Sequence, residues 1–122
     1  MNMPMPAFQP TVDFQGDLPV PTEWRPPDGR IVSGDPVQRA WNLYASADGR
    51  FNAGIWECEP GKWRVIFTEH EFCRLLAGRI VVSGDDGSVR TYVAGDAFVS
   101  PAGFTGHWDV QLPARKHYVI YE

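Results

Sequence analysis

The sequence predicts an all-β domain, a sandwich or a small barrel. Twelve glycines and eleven prolines punctuate 122 residues. Neither residue suits a helix interior, glycine because of its backbone entropy and proline because of its missing donor. Five Trp, seven Phe and four Tyr accompany many Val and Ile, residue types that fit a pleated, half-buried surface. From residue 40 onward short apolar runs alternate with Gly, Pro and Asp clusters, and no window repeats at helical period. The length suits one domain with a real core and excludes two.

The first 36 residues read differently. Pro4, Pro6, Pro10, Pro19, Pro21, Pro26, Pro27 and Pro36 fall there, which rules out a helix or a central strand. Phe8, Phe14, Leu18, Val20 and Trp24 lie between them. Residues 1–36 are therefore expected to form an extended arm docked on the body or on a second subunit, and residues 37–122 the domain.

The strands follow in order. Residues 40–45 end at Ala47-Asp48-Gly49, residues 51–59 at Pro60-Gly61, and residues 63–67, 72–76 and 79–82 come next. Ser83-Gly84-Asp85-Asp86-Gly87 is a strong hairpin signal, because Gly and Asp tolerate the positive φ such turns require. Residues 89–93 end at Ala94-Gly95-Asp96 and residues 97–100 at Pro101-Ala102-Gly103. Residues 108–112 stop at Pro113, and residues 116–121 close the series. About eight or nine short strands at roughly ten-residue spacing make a sandwich or barrel.

Charge and cysteine usage narrow the function classes. The formal net charge is −4, from 11 basic and 15 acidic residues, with no basic concentration to neutralise phosphates, so nucleic acid is not an expected partner. No run of about 18 apolar residues exists to span a membrane. Met1-Asn2-Met3-Pro4-Met5-Pro6 lacks the positive and apolar regions of a secretory signal. Cys58 and Cys73 are read as reduced, strand-borne core thiols, and the chain as cytoplasmic.

Two stretches go beyond generic β. Glu71-Phe72-Cys73-Arg74-Leu75-Leu76-Ala77-Gly78 has an E-x6-G spacing, and Gly95-Asp96-Ala97-Phe98-Val99-Ser100-Pro101-Ala102-Gly103 reads G-D-x4-P-x-G. The ordered pair resembles the two motifs of the cupin superfamily, G-x5-H-x-H-x3-4-E-x6-G and G-x5-P-x-G-x2-H-x3-N, over about residues 40 to 121. The resemblance implies a double-stranded β-helix (jelly roll, cupin barrel) carrying the Pro-rich N-terminal arm. Within it, the chain is similar to the small single-domain cupins of the (S)-ureidoglycine aminohydrolase and ethanolamine-utilisation branch. Glu71 with Cys73 and Leu76-Ala77-Gly78, the run from Pro101 to Gly106, Trp108, and Arg115-Lys116-His117-Tyr118 carry that likeness.

Metal-binding cupins hold their ion through three His and one Glu, ligands that suit Mn, Fe or Zn. Anchored on Glu71, the H-x-H pair falls at Val65 and Phe67, or at Arg64 and Ile66. The histidine of the second motif falls at Gly106 and the asparagine at Val110. No metal or other cofactor is therefore expected. The residual alternative, Glu71 with His107, needs a one-residue slip, and one residue normally turns a side chain to the other face.

Strand alternation sets the expected cavity. Val65 and Phe67 share a face, as do Glu71 and Cys73, and Gly106, Trp108 and Val110. The cavity wall is expected to comprise Val65, Phe67, Cys73, Trp108, Lys116 and Tyr118, with Glu71 as catalytic residue or ligand anchor. An inward carboxylate among aromatic side chains needs a cation or a donor, and Arg64, Lys116 and Tyr118 are candidates. Trp108 serves equally as ligand wall or as plug. Trp56 and Trp63 are expected in the core or an interface, Cys73 is expected to be a core thiol rather than a nucleophile, and His70 and His117 face solvent.

The resemblance implies a small-molecule ligand, with hydrolase, isomerase or lyase chemistry on a nitrogenous or carboxylated metabolite. The competing class is a non-catalytic binding, accessory or structural domain. A homodimer with exchange of the N-terminal arm is expected.

Overall fold

The computed structural model describes residues 6–122, so the expectations for residues 1–5 lie outside the described residues. Among the described residues nine strands form: Thr22–Trp24 (β1), Ile31–Gly34 (β2), Gln38–Ala45 (β3), Phe51–Cys58 (β4), Gly61–Ile66 (β5), His70–Gly84 (β6), Val89–Val93 (β7), Ala97–Ser100 (β8) and Thr105–Tyr121 (β9). A 3-10 turn, Asp28–Arg30, separates β1 from β2. The all-β expectation holds, and the sheet curls into a jelly roll.

The long strands β6 and β9 organise it. They pair antiparallel with each other along most of their length, from His70 opposite Tyr121 to Gly84 opposite Gly106. On the other side of β9, residues 114–121 pair with β4 and residues 105–110 with β5. The first part of β6 pairs with β8 and the last part with β7. One half of the barrel thus reads β1-β3-β4-β9-β6-β8 and the other β2-β5-β9-β6-β7. Strands that pass from one half to the other turn corners at bends and bulges.

That corner explains why four of the expected short strands are two long ones. Residues 72–76 and 79–82 both belong to β6, and residues 108–112 and 116–121 both belong to β9. The β6–β9 register shifts around Leu75, Ala77, Arg79 and Ile80. Gly78 sits there at φ 94°, where a Cβ would stand 2.5 Å from the Pro113 carbonyl oxygen and 2.6 Å from Ala114 Cα. Pro113 occupies the stretch of β9 between its β4 and β5 partners. Its missing N–H therefore costs no bond on that side.

The Pro-rich segment contains β1 and β2, which sit at the two ends of the sheet path, against β3 and β5. Upstream of β1 the chain lies on the body at two points. The Trp41 Nε1–H donates to the Pro19 carbonyl at 2.7 Å, and the Phe14 ring meets His117 edge-on at 5.1 Å. Phe8 and Val20 remain exposed.

The core lies between the two halves. On β6, Glu71, Cys73, Leu75, Ile80 and Val82 are buried, and on β9 Trp108, Val110, Ala114, Lys116 and Tyr118. Strand alternation selects these positions, and β9 keeps one parity throughout, so every even-numbered buried residue faces inward.

Candidate functional site

The inner faces of β3, β4, β5 and β9 enclose an open cavity of about 360 Å³, within the usual size range for small-molecule pockets. Val65, Phe67, Glu71, Trp108, Lys116 and Tyr118 all line it. Cys73, expected on the wall, does not: it is fully buried behind Lys116, with its Sγ 3.3 Å from Nζ. Trp56 and Trp63, expected as core or interface, also face the cavity.

Lys116 and Glu71 sit at the cavity floor. Lys116 projects inward from β9 and donates from Nζ to Glu71 Oε2 at 3.1 Å. Its side chain is only 2% exposed and that of Glu71 11%. Nζ also lies 4.4 Å from the centre of the Trp56 ring and 4.3 Å from that of Trp108, an arrangement in which the ring faces attract a desolvated cation. Burial alone would lower the lysine's pKa, but the facing Cys73 and Glu71 outweigh it and the net direction is upward. Lys116 is therefore an ammonium. Its three hydrogens are taken by Glu71, Cys73 and the indole faces. Arg64, another candidate partner for Glu71, is instead held outside in a two-bond pair with Asp85.

Burial pushes the Cys73 thiol up to about 12, against the opposing pull of Lys116. A thiol so held has no nucleophilic fraction at neutral pH, in keeping with the core role expected for it.

Polar side chains that sequence reasoning missed form the opposite wall. The Tyr118 hydroxyl donates to Asn42 Oδ1 at 2.8 Å, and Asn42 Nδ2 donates to Asn52 Oδ1 at 2.9 Å. Burial, with Glu71 adding to it, pushes the Tyr118 phenol up to about 12, so it remains a donor. Gln38 Oε1 accepts from Trp56 Nε1 at 2.9 Å and fixes that ring over Lys116. Gln38, Ala40 and Asn42 alternate along β3, and that alternation was the available signal. Placing it opposite β9 required the register Asn42–Gly54–Tyr118, which only pairing supplies.

The metal set implied by the cupin resemblance does not fit these residues. Val65 and Phe67 stand where two imidazoles would be. At Gly106 a Cβ would lie 1.9 Å from the Ser83 carbonyl oxygen, so no side chain can leave β9 there. His107 pairs across to Arg64 and Ser83, on the opposite parity of β9 from the inward Trp108, and does not line the cavity, so the Glu71–His107 alternative fails geometrically. Among the described residues no group of three or more His, Cys, Asp or Glu is placed to hold an ion. The carboxylate that would bind a metal holds an ammonium instead.

The two other histidines lie outside the cavity as well. His70 Nδ1 accepts from the Ala102 N–H at 3.1 Å. His117 lies under Phe14, and burial followed by Arg115 and Arg74 lowers its pKa. No described helix is long and apolar enough to cross a membrane.

Comparison with known proteins agrees with the fold. A protein of unknown function from Pseudomonas syringae pv. tomato, of the DUF861 family, superposes with a TM-score of 0.75 at 28% identity, covering 84% of this chain and 45% of the other. The chain thus spans under half the length of that relative. A DUF861 family protein from Thermotoga maritima is 34% identical over 52% of this chain and 73% of its own, with a TM-score of 0.51. The Clostridium difficile EutQ protein shares the fold at a TM-score of 0.62 and 20% identity, over 70% of this chain and 68% of that one. No curated protein sequence matches the chain. The model of the EutQ-like cupin domain matches residues 45–118, and the chain belongs to that family of the cupin superfamily.

Proposed function

We propose that this cupin domain binds a small metabolite in the barrel cavity with Glu71 as its polar anchor, without a metal centre of three histidines and a glutamate. The observation that carries the reading is the Glu71–Lys116 pair. Desolvating a carboxylate and an ammonium is costly, and an apolar pair of similar volume would serve packing at least as well. A charged pair beneath an open, aromatic-lined cavity is the usual mark of a binding or catalytic site.

The chemistry available is proton transfer at Glu71. Lys116 pins Oε2, and the remaining oxygen is positioned to accept a hydrogen bond or a proton from a ligand. Hydrolase, isomerase or lyase activity, including the ureidoglycine aminohydrolase type, would use it in that role. The competing reading, an accessory or structural domain, is favoured by one feature. Trp108 packs against Trp56, Trp63, Phe67 and Phe98 at ring separations of 5.8 to 6.2 Å, as a plug would.

The test is a thermal-shift screen of amines, ureido compounds and small carboxylates against the wild type and Glu71→Gln. Stabilisation of the wild type that is lost in the variant supports the anchor; equal stabilisation of both removes Glu71 from the role. Elemental analysis of protein purified without added metal is expected to find no stoichiometric transition metal.

The same reading includes a homodimer that exchanges its N-terminal arms in a reducing, cytoplasmic compartment. Exposed Phe8 and Val20 on the arm and two free, buried cysteines support it. Sedimentation of the full chain against a chain lacking residues 1–15 tests the exchange, and a monomer in both would refute it.

A further inference from the structure

Resting on the cavity reading above, we infer that the ligand is an organic cation, an amine or amidine with a flat or apolar body. The reason lies in which charges the cavity leaves free. Among the described residues Lys116 is the only basic side chain lining it, and its hydrogens are already taken by Glu71, Cys73 and the faces of Trp56 and Trp108. An anionic ligand would have to displace Glu71 to reach it.

An acceptor remains available, and the one buried unpartnered donor among the described residues, Trp108 Nε1–H, is uncharged. Glu71 is 8% exposed as a residue and uses Oε2 for Lys116. Its side chain is 11% exposed and lines the cavity, so part of the carboxylate stays open to a guest. Glu69 lines the same cavity. Burial first, then the carboxyl of Glu122 and the charge of Glu71, hold Glu69 above the usual carboxylate range, a like-charge crowding that an arriving cation relieves.

The rest of the lining fits such a guest. Trp24, Trp63 and Phe67 supply apolar and π surface, which attracts a cation as well as a flat ring. Two acidic side chains against one basic one give the lining an acidic excess.

Three isosteric probes at fixed ionic strength test the class: benzylammonium, benzyl alcohol and benzoate. Binding is followed through the five indole N–H resonances of the full chain. The expected result is saturable binding of benzylammonium at least tenfold tighter than of benzyl alcohol, with benzoate weakest. The signals of Trp24, Trp56, Trp63 and Trp108 should move and that of Trp41, which bonds Pro19 outside the cavity, should not. Glu69→Gln should erase most of the preference of benzylammonium over benzyl alcohol. Tightest binding of benzoate, or a preference that survives Glu69→Gln and Glu71→Gln together, overturns the cationic class and leaves the cavity reading standing. Failure of all three probes to move the cavity indoles overturns both.

Discussion

The Lys116 ammonium stands 3.1 Å from the Glu71 carboxylate, between the rings of Trp56 and Trp108, at the place where a cupin metal would be expected. One fixed positive charge thus satisfies the inward carboxylate. The partners are unequally buried: both line the cavity, but the Glu71 side chain is 11% exposed and that of Lys116 only 2%.

That inequality predicts an asymmetry. Removing either partner of a buried pair costs about 3–5 kcal/mol. Glu71→Leu should fall at the upper end, because it leaves a sealed ammonium, and Lys116→Met at the lower end, because Glu71 can draw water from the cavity. The double variant should recover much of the loss. Urea unfolding of all four proteins gives the cycle, and additive single effects would contradict the coupling.

The pH dependence of the same variants should change sign. In the wild type the folded pKa of Lys116 lies above its ordinary value. Its contribution is therefore complete below the ordinary lysine range and is lost as pH rises through the folded value. In Glu71→Leu the carboxylate is gone and the remaining neighbour, Cys73, is a thiol that burial keeps neutral over this range, so burial dominates, the native state sheds the proton early and stability should rise from neutral pH toward about pH 10. Unfolding free energies across that range, rising with pH in the wild type or falling in the variant, would contradict the assignment.

Two glycines with nearly the same φ separate backbone strain from packing. Gly78 at 94° faces Pro113 and Ala114, whereas Gly95 at 95° has open space around its missing Cβ. Gly95→Ala should cost about 1–3 kcal/mol for the left-handed backbone alone. Gly78→Ala should cost more, since the β6 and β9 backbones must also part. Equal losses of unfolding free energy would show that the corner is looser than its contacts indicate.

Restoring the missing metal residue should fail. The Ser83 carbonyl fills the space any side chain at Gly106 would need, so Gly106→His should unfold at a lower temperature and gain no affinity for Co(II) in a spectroscopic titration. Tetrahedral or octahedral cobalt bands in that variant would refute the geometry.

Both cysteines should be silent in the native state. Burial is the main cause that pushes the Cys58 and Cys73 thiols up to about 12. Reaction with a disulfide reagent at neutral pH is expected only upon unfolding, and then with two equivalents. Rapid labelling of the folded protein would count against the placement of Cys73 behind Lys116.

Much of this was legible in the residues themselves. The Gly and Pro punctuation, the E-x6-G and G-D-x4-P-x-G spacings and simple alternation are local properties, so they were enough to predict the all-β class, the cupin fold and the inward positions of Glu71, Trp108, Lys116 and Tyr118. The missing imidazoles at Val65, Phe67 and Gly106 were visible for the same reason. Partnership was not. Glu71 had three basic or donor candidates in sequence, and the β6–β9 register that sets Glu71 opposite Ile120 and Cys73 opposite Tyr118 brings Lys116, not Arg64, to it. Pro113 looked like a strand end, yet β9 continues because its neighbours change there and no ladder bond is lost. Asn42, Asn52 and Gln38 join the site only when β3 lies beside β4 and β4 beside β9. Side-chain direction is written in sequence parity, but which directions converge depends on long-range pairing, which brings together groups from Gln38 to Tyr118 around one cavity.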